Sequence, residues 1–349
     1  CPCGLLSLVL PAPSGAVRDQ GSGPLPRSWS PNRDNGTVIP LLALNGPTAS
    51  GKSALAVEVA VRLGERGIPA EIVNADSMLV YRGMDIGTAK PTKQERRGIP
   101  HHLVDIWPVT RSATVADFQA LARETIADVR ARATVPVVVG GSALYMRAIL
   151  DRFEFPGTDP VVRARWEAEL ERIGAPALHA VLAQRSPAAG AELNPGNGRR
   201  IVRALEVIEL TGSHRPTLPA WTFELEGVLS HGLSLERAEM DARIAARVDA
   251  MWAAGLVDEV RTLARAGLRD GRTASKALGY RQVLAHLAGE TTDDEARAAT
   301  VAGTRRFARK QLGWFRRDAR IQWHEAHEPG LPAELTNTVI ASWRTGVGE

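Results

Sequence analysis

Gly46-Pro47-Thr48-Ala49-Ser50-Gly51-Lys52-Ser53 places two glycines, a lysine and a hydroxyl at the spacing G-x-x-x-x-G-K-[ST]. A turn of this kind lets successive backbone N–H groups point at phosphate oxygens, and the positive end of a following helix adds to the field. Lys52 is placed to neutralise the outer phosphates and Ser53 to ligate Mg²⁺. The flanks suit the motif: the apolar run Val38–Leu44 precedes it, and Leu55, Val59 and Leu63 form a helical stripe after it. A phosphate cradle does not name a reaction. Kinases, nucleoside triphosphatases and transferases of pyrophosphorylated compounds all use one.

Two further segments carry chemistry. Asp76 follows the apolar stretch Ala70–Asn74, and Gly140-Gly141-Ser142 follows Val135–Val139. In a doubly wound sheet ligands gather at the carboxyl ends of strands, so both segments are expected near the phosphate loop. Asp76 suits a base toward a nucleophile, or a holder of Mg²⁺ through water; capping a helix is the plainer alternative. The two glycines permit close backbone approach to a ligand and Ser142 offers a hydroxyl to an anion, although a tight strand-to-helix turn would also use them. Tyr81–Pro91 is a long polar loop, and long loops are usually either functional or disordered. His101-His102 face opposite ways on an extended chain, which favours structural hydrogen bonding over a metal site.

These segments need a scaffold. Strand patterns at 38–44, 70–74, 103–106 and 135–139 alternate with helical ones, notably Val115–Arg130, and predict an α/β doubly wound parallel sheet of the P-loop NTPase-like kind. After Pro156, Gly157 and Pro160 helical periodicity takes over, with Trp166, Leu170, Ile201 and Leu205 among the apolar positions. The expected organisation is a core over 37–155, an inserted helical lobe over 156–215, a helical part over 216–330 that completes the core, and a tail over 331–349. Residues 1–36, rich in Pro, Gly and Ser and without periodicity, are expected to lie outside the fold. No apolar run reaches the length of a membrane span. The only cysteines are Cys1 and Cys3, so no disulfide framework or cysteine zinc site is expected and a reducing, cytoplasmic setting fits. The net charge of +4 is too small to argue for nucleic acid without clustering.

Taken together, Gly46–Ser53, Asp76-Ser77 with Val80–Pro91, His101–Ile106 and Val137–Tyr145 resemble the bacterial tRNA dimethylallyltransferases, a likeness extended by Arg200–Val207, Gly279-Tyr280-Arg281 and Arg309-Lys310-Gln311 with Trp314. The resemblance spans about residues 38–325. It implies Mg²⁺-dependent transfer of a dimethylallyl group from dimethylallyl diphosphate to N6 of adenine 37, beside the anticodon of tRNA, by a cytoplasmic enzyme expected to be a monomer. It makes Asp76 the base, with Ser142 beside it. It implies tRNA contacts at Asp76, Ser77, Met78, Leu79, Ser142, Arg163, Arg199, Arg200, Ile201, Val202, Arg203, Lys276, Gly279, Tyr280, Arg281, Arg309, Lys310, Gln311, Trp314 and Arg316. Arg243 and Arg247, one helical turn apart, would complete the anion clamp or form a solvated face. The basic stretch Arg305–Arg320 has Phe307, Trp314 and Phe315 between its cations, a pattern suited to RNA backbone and bases.

The chain departs from the family at Leu79, usually Gln, at Ser142, usually Thr, and at Asn197, usually Asp. The zinc-finger extension of eukaryotic relatives is not expected. Prenylation of free adenine nucleotides is the nearest rival, and the helical insert and basic helix favour tRNA over it. A small-molecule kinase is disfavoured by the Tyr81–Pro91 loop, and a non-catalytic RNA-binding protein by intact Lys52, Ser53 and Asp76.

Overall fold

The computed structural model describes residues 38–213 and 220–347; the segment 1–36 lies outside the described residues. The first half runs β1 (Leu41–Asn45), α1 (Lys52–Glu65), β2 (Ala70–Asn74), β3 (His101–His102), α2 (Val115–Ala131), β4 (Val135–Gly140) and α3 (Ala143–Leu150). Three helices follow: α4 (Pro160–Arg185), α5 (Pro187–Glu192) and α6 (Gly198–Thr211). The chain then forms β5 (Val228–Ser234), α7 (Arg237–Ala253), α8 (Leu256–Arg265), α9 (Tyr280–Leu287), α10 (Asp293–Phe315), β6 (Gln322–Glu325) and α11 (Leu331–Val347).

The strands lie in the order β3-β2-β4-β1-β5-β6 and every pairing is parallel. Parallel strands are covered on both faces, and the alternation of side chains shows it. Leu41, Ala43, Val73 and Val138 enter one apolar cluster, packed with α2, α3, α8 and α9. Leu42, Leu44, Ile72, Val137 and Val139 enter the other, packed with α1 and α11. The lobe has its own small core around Trp166, Leu178, Leu182, Ile201 and Leu205. Buried Glu206 ties its base together, accepting from Thr158 Oγ1 (2.6 Å) and the Asp159 amide (3.1 Å) and pairing with Arg163 and Arg203. Those cations and hydrogen bonds outweigh its desolvation and hold its carboxyl at about 2. No helix among the described residues is long and apolar enough to cross a membrane.

Three expectations change. The strand expected at Leu103–Ile106 is instead His101–His102, because Leu103 and Asp105 take positive φ (60° and 58°) and turn the chain. β5 and β6 carry too many polar residues to read as core strands. β5 is buried over Ser230–Leu233 and β6 only at His324; His231 Nδ1 meets His324 Nε2 at 2.9 Å across them, and burial lowers His231 to about 4, so it stays neutral. The segment read as a tail carries α11, whose Leu335 and Val339 are fully buried on the α1 face of the sheet. Leu335→Ala is expected to cost about 2–5 kcal/mol, as buried leucine truncations do, while exposed Asn337→Ala stays within about 0.5 kcal/mol; urea denaturation checks both.

Candidate active site

The phosphate loop joins β1 to α1. Ala49 (φ 65°) and Gly51 (φ 86°) turn its backbone, and Lys52 begins the helix. Lys52 Nζ donates to the Pro47 carbonyl at 3.0 Å. Burial lowers this ammonium to about 8; Asp76 opposes the shift and Arg247 adds to it. The loop is braced from far along the chain. The Thr48 amide donates to Gln311 Oε1 of α10 (2.9 Å), and Arg247 of α7 reaches Thr48 Oγ1 (3.3 Å) and the Thr88 carbonyl (3.2 Å). Burial lowers the Arg247 guanidinium too, with Asp76 again opposing.

Two cavities meet here. One of about 910 Å³ is lined by Gly51, Lys52, Ser53 and Arg243. The other, of about 540 Å³, is lined by Thr48, Asp76, Ser142 and Gln311. Arg247 borders both. Arg243 pairs with Glu239 at 3.0 Å and bonds His327, so of the two arginines Arg247 is the one that engages the loop. Asp76 caps no helix. Its Oδ1 accepts the Met78 amide (2.8 Å), which fixes a carboxylate on the cavity wall. Ser142 precedes α3 without a side-chain capping bond, so its hydroxyl is left to the cavity. The glycine before it packs closely on the brace: a Cβ on Gly141 would sit 2.7 Å from Gln311 Nε2, so the end of that side chain would have to shift.

The smaller cavity gathers Ser77, Met78, Arg199, Lys276, Arg281 and Lys310 as well, bringing the lobe's α6 and the C-terminal helices to one place. Other expected contacts lie elsewhere. Ile201 and Val202 are buried in the lobe core, and Arg163 and Arg203 are engaged by Glu206. Gly279 and Tyr280 are buried, with Tyr280 Oη donating to Glu259 (2.6 Å). Trp314 packs against the main core under Arg317. Leu79 is half-buried and lines neither cavity, and neither do exposed Arg200, Arg309 and Arg316; Arg309 lies 3.9 Å from Asp241. His101 and His102 have structural partners, the Ile99 carbonyl (2.8 Å) and Glu71 (2.7 Å). Asn197 caps α6 by accepting the Arg200 amide (3.3 Å). Sequence reasoning did not single out Thr88 or Arg272 on the cavity wall; the exposed Phe307 and Arg306 there carried a signal in their basic-aromatic stretch.

The family model for IPP transferase matches residues 79–318. The chain belongs to this family. The phosphate loop lies before the matched segment, so its geometry is independent of that match. The tRNA dimethylallyltransferase of Thermobifida fusca is 60% identical over 292 residues, 83% of this chain and 91% of that protein. That of Kineococcus radiotolerans is 58% identical over 306 residues, 86% and 96% of the two. The solved structure of the full-length tRNA isopentenylpyrophosphate transferase of Bacillus halodurans shares 37% identity with a TM-score of 0.64, covering 88% of this chain and 98% of that one. A eukaryotic dimethylallyltransferase acting on tRNA, 22% identical with a TM-score of 0.68, shares the fold.

The lowered Lys52 makes anion binding pH-dependent. Below about 8 the free protein carries the ammonium, and above it the charge is lost. A bound diphosphate favours the charged form, so binding near pH 8 should take up a proton and weaken as pH rises further. Titration calorimetry with pyrophosphate in buffers of different ionisation enthalpy measures that uptake, which Lys52→Ala should abolish.

Proposed function

We propose that this protein transfers the dimethylallyl group of dimethylallyl diphosphate to N6 of adenine 37, beside the anticodon of tRNA. The observation that carries the reading is a single carboxylate, Asp76, on the wall of a cation-lined cavity that meets a phosphate loop at Arg247. The tRNA dimethylallyltransferases of T. fusca and K. radiotolerans support the reaction class.

The diphosphate sits on the loop amides with Lys52 and Arg247 against its oxygens. Cleavage of the C1–O bond sends the electron pair to the departing diphosphate, where these groups stabilise the growing charge. The exocyclic amine of adenine attacks C1 and its proton passes to Asp76. The Ser142 hydroxyl lines the same cavity and is free to donate to the leaving group. Ser53, exposed on the first turn of α1, offers the hard oxygen that Mg²⁺ would take alongside water and phosphate oxygens, and buried Ser50 Oγ of the same loop has no partner among the described residues. Such an ion would share the charge of the leaving diphosphate. The target base must leave its stack to reach Asp76, and Lys276, Arg281 and Lys310 suit the RNA phosphates around it.

An anticodon stem-loop hairpin with labelled dimethylallyl diphosphate is expected to give N6-dimethylallyladenosine, with AMP largely ignored. Lys276→Ala with Lys310→Ala should weaken hairpin binding and flatten its salt dependence by roughly 0.7–0.9 per lost phosphate contact. Asp76→Ala should lower turnover by about 10²–10⁴-fold while diphosphate still binds. Prenylation of AMP without preference for the hairpin, or phosphorylation of a small metabolite from ATP, would overturn the assignment.

A further inference from the structure

Glu259 of α8 lines neither cavity, yet one carboxylate collects four donors. Its Oε2 accepts the amides of Asp85 (3.0 Å) and Ile86 (2.7 Å), and its Oε1 accepts the Gly87 amide (3.3 Å) and Tyr280 Oη (2.6 Å). Three successive amides converging on an anion form the concavity that loops elsewhere present to phosphate. Here the anion belongs to the protein, and the loop is bound by its own fold.

The surroundings commit the segment to this shape. Tyr280 is fully buried, and burial together with the Glu259 carboxylate raises its hydroxyl well above the usual phenol range, so it keeps the proton that it donates. A Cβ on Gly87 would lie 2.5 Å from the Tyr280 ring and 2.9 Å from Leu256, so only glycine lets the backbone come this close. Thr88 Oγ1 donates to the Met84 carbonyl (2.6 Å), and Lys90 Nζ closes the far end on the Tyr81 carbonyl (3.0 Å) and Asp85 (2.6 Å). The product of these constraints is one oriented group. The Thr88 carbonyl accepts from Arg247 Nη2, and Nη1 of the same guanidinium reaches Thr48 in the phosphate loop.

We infer that Glu259 is a positioning residue for the donor site: it holds Asp85–Thr88 so that the Thr88 carbonyl aims Arg247 at the phosphate loop. The inference rests on the reading of that loop as the diphosphate site. Gly87 and Thr88 form part of the wall of the smaller cavity, and Ala89 and Pro91 part of the wall of the larger, so the same segment shapes both. Tyr280, expected to touch RNA, serves this brace instead.

Binding of inorganic pyrophosphate with Mg²⁺, measured by titration calorimetry on the full chain, tests it without any acceptor. Glu259→Ala is expected to weaken binding about tenfold, the scale of losing one charged hydrogen-bonding partner. In an Arg247→Ala background the same change should weaken it less than about twofold, because the two residues act through one path. Glu259→Gln, which keeps one acceptor oxygen, should recover part of the loss. Tyr280→Phe removes one donor with little change of shape and should weaken pyrophosphate in the same background-dependent way, which keeps the test open if Glu259→Ala does not fold. Losses that add fully across the pair, or a lowered Tm with unchanged pyrophosphate binding, would overturn the inference. A wild-type chain that binds pyrophosphate but leaves the hairpin unmodified would sink the acceptor assignment and leave this one to its own result.

Discussion

Two half-buried cations beside a single carboxylate set the terms for this structure. Lys52 and Arg247 are both driven toward their neutral forms by burial, each repels the other, and Asp76 is the anion that opposes the shift in both. Such an arrangement is unfavourable while empty and favourable once an anion arrives. Partial burial raises the value of every charge and dipole that later meets a leaving diphosphate. The apolar faces of the sheet, the glycines beside the loop and the helices that cover it serve to keep these groups close without neutralising them.

That strain is distributed over distant parts of the chain. The loop itself is local, the eight residues Gly46–Ser53, but its braces come from α7 and α10. The Thr88 carbonyl that turns Arg247 is itself fixed from α8 and α9 through Glu259 and Tyr280. The chemistry thus depends on helices that carry no part of the phosphate motif. A fold in which the last third of the chain returns to the first strand's loop couples donor binding to the surface that carries the cavity's cations.

The helical lobe follows a different logic. Its arginines are only partly surface charges, because buried Glu206 claims Arg163 and Arg203 and, just before α4, Thr158 and Asp159. Burying a carboxylate is costly unless it is paired and hydrogen-bonded, and Glu206 is both. What reaches the shared cavity from the lobe is Arg199, about two turns before this hub on the same helix. A motif of closely spaced arginines therefore splits into cations that build the lobe and a cation that faces the cavity.

The amino-acid sequence by itself determined the phosphate loop, the strand-end positions of Asp76 and Ser142, the central strands β1, β2 and β4 and the long amphipathic helices. These follow from local rules: apolar period, glycine placement and motif spacing. Tertiary structure alone decided what was buried. β6 closes the sheet edge on β5, where the polar His231 and His324 satisfy each other, and α11 becomes core because α1 offers it an apolar face. Tyr280, Ile201 and Val202 stand inside motifs that resemble a substrate surface, yet they are buried at 0–2% exposure and act as framework. Residue type and spacing report what a side chain is able to do; only the packing around it determines whether solvent, substrate or the protein's own core is its partner.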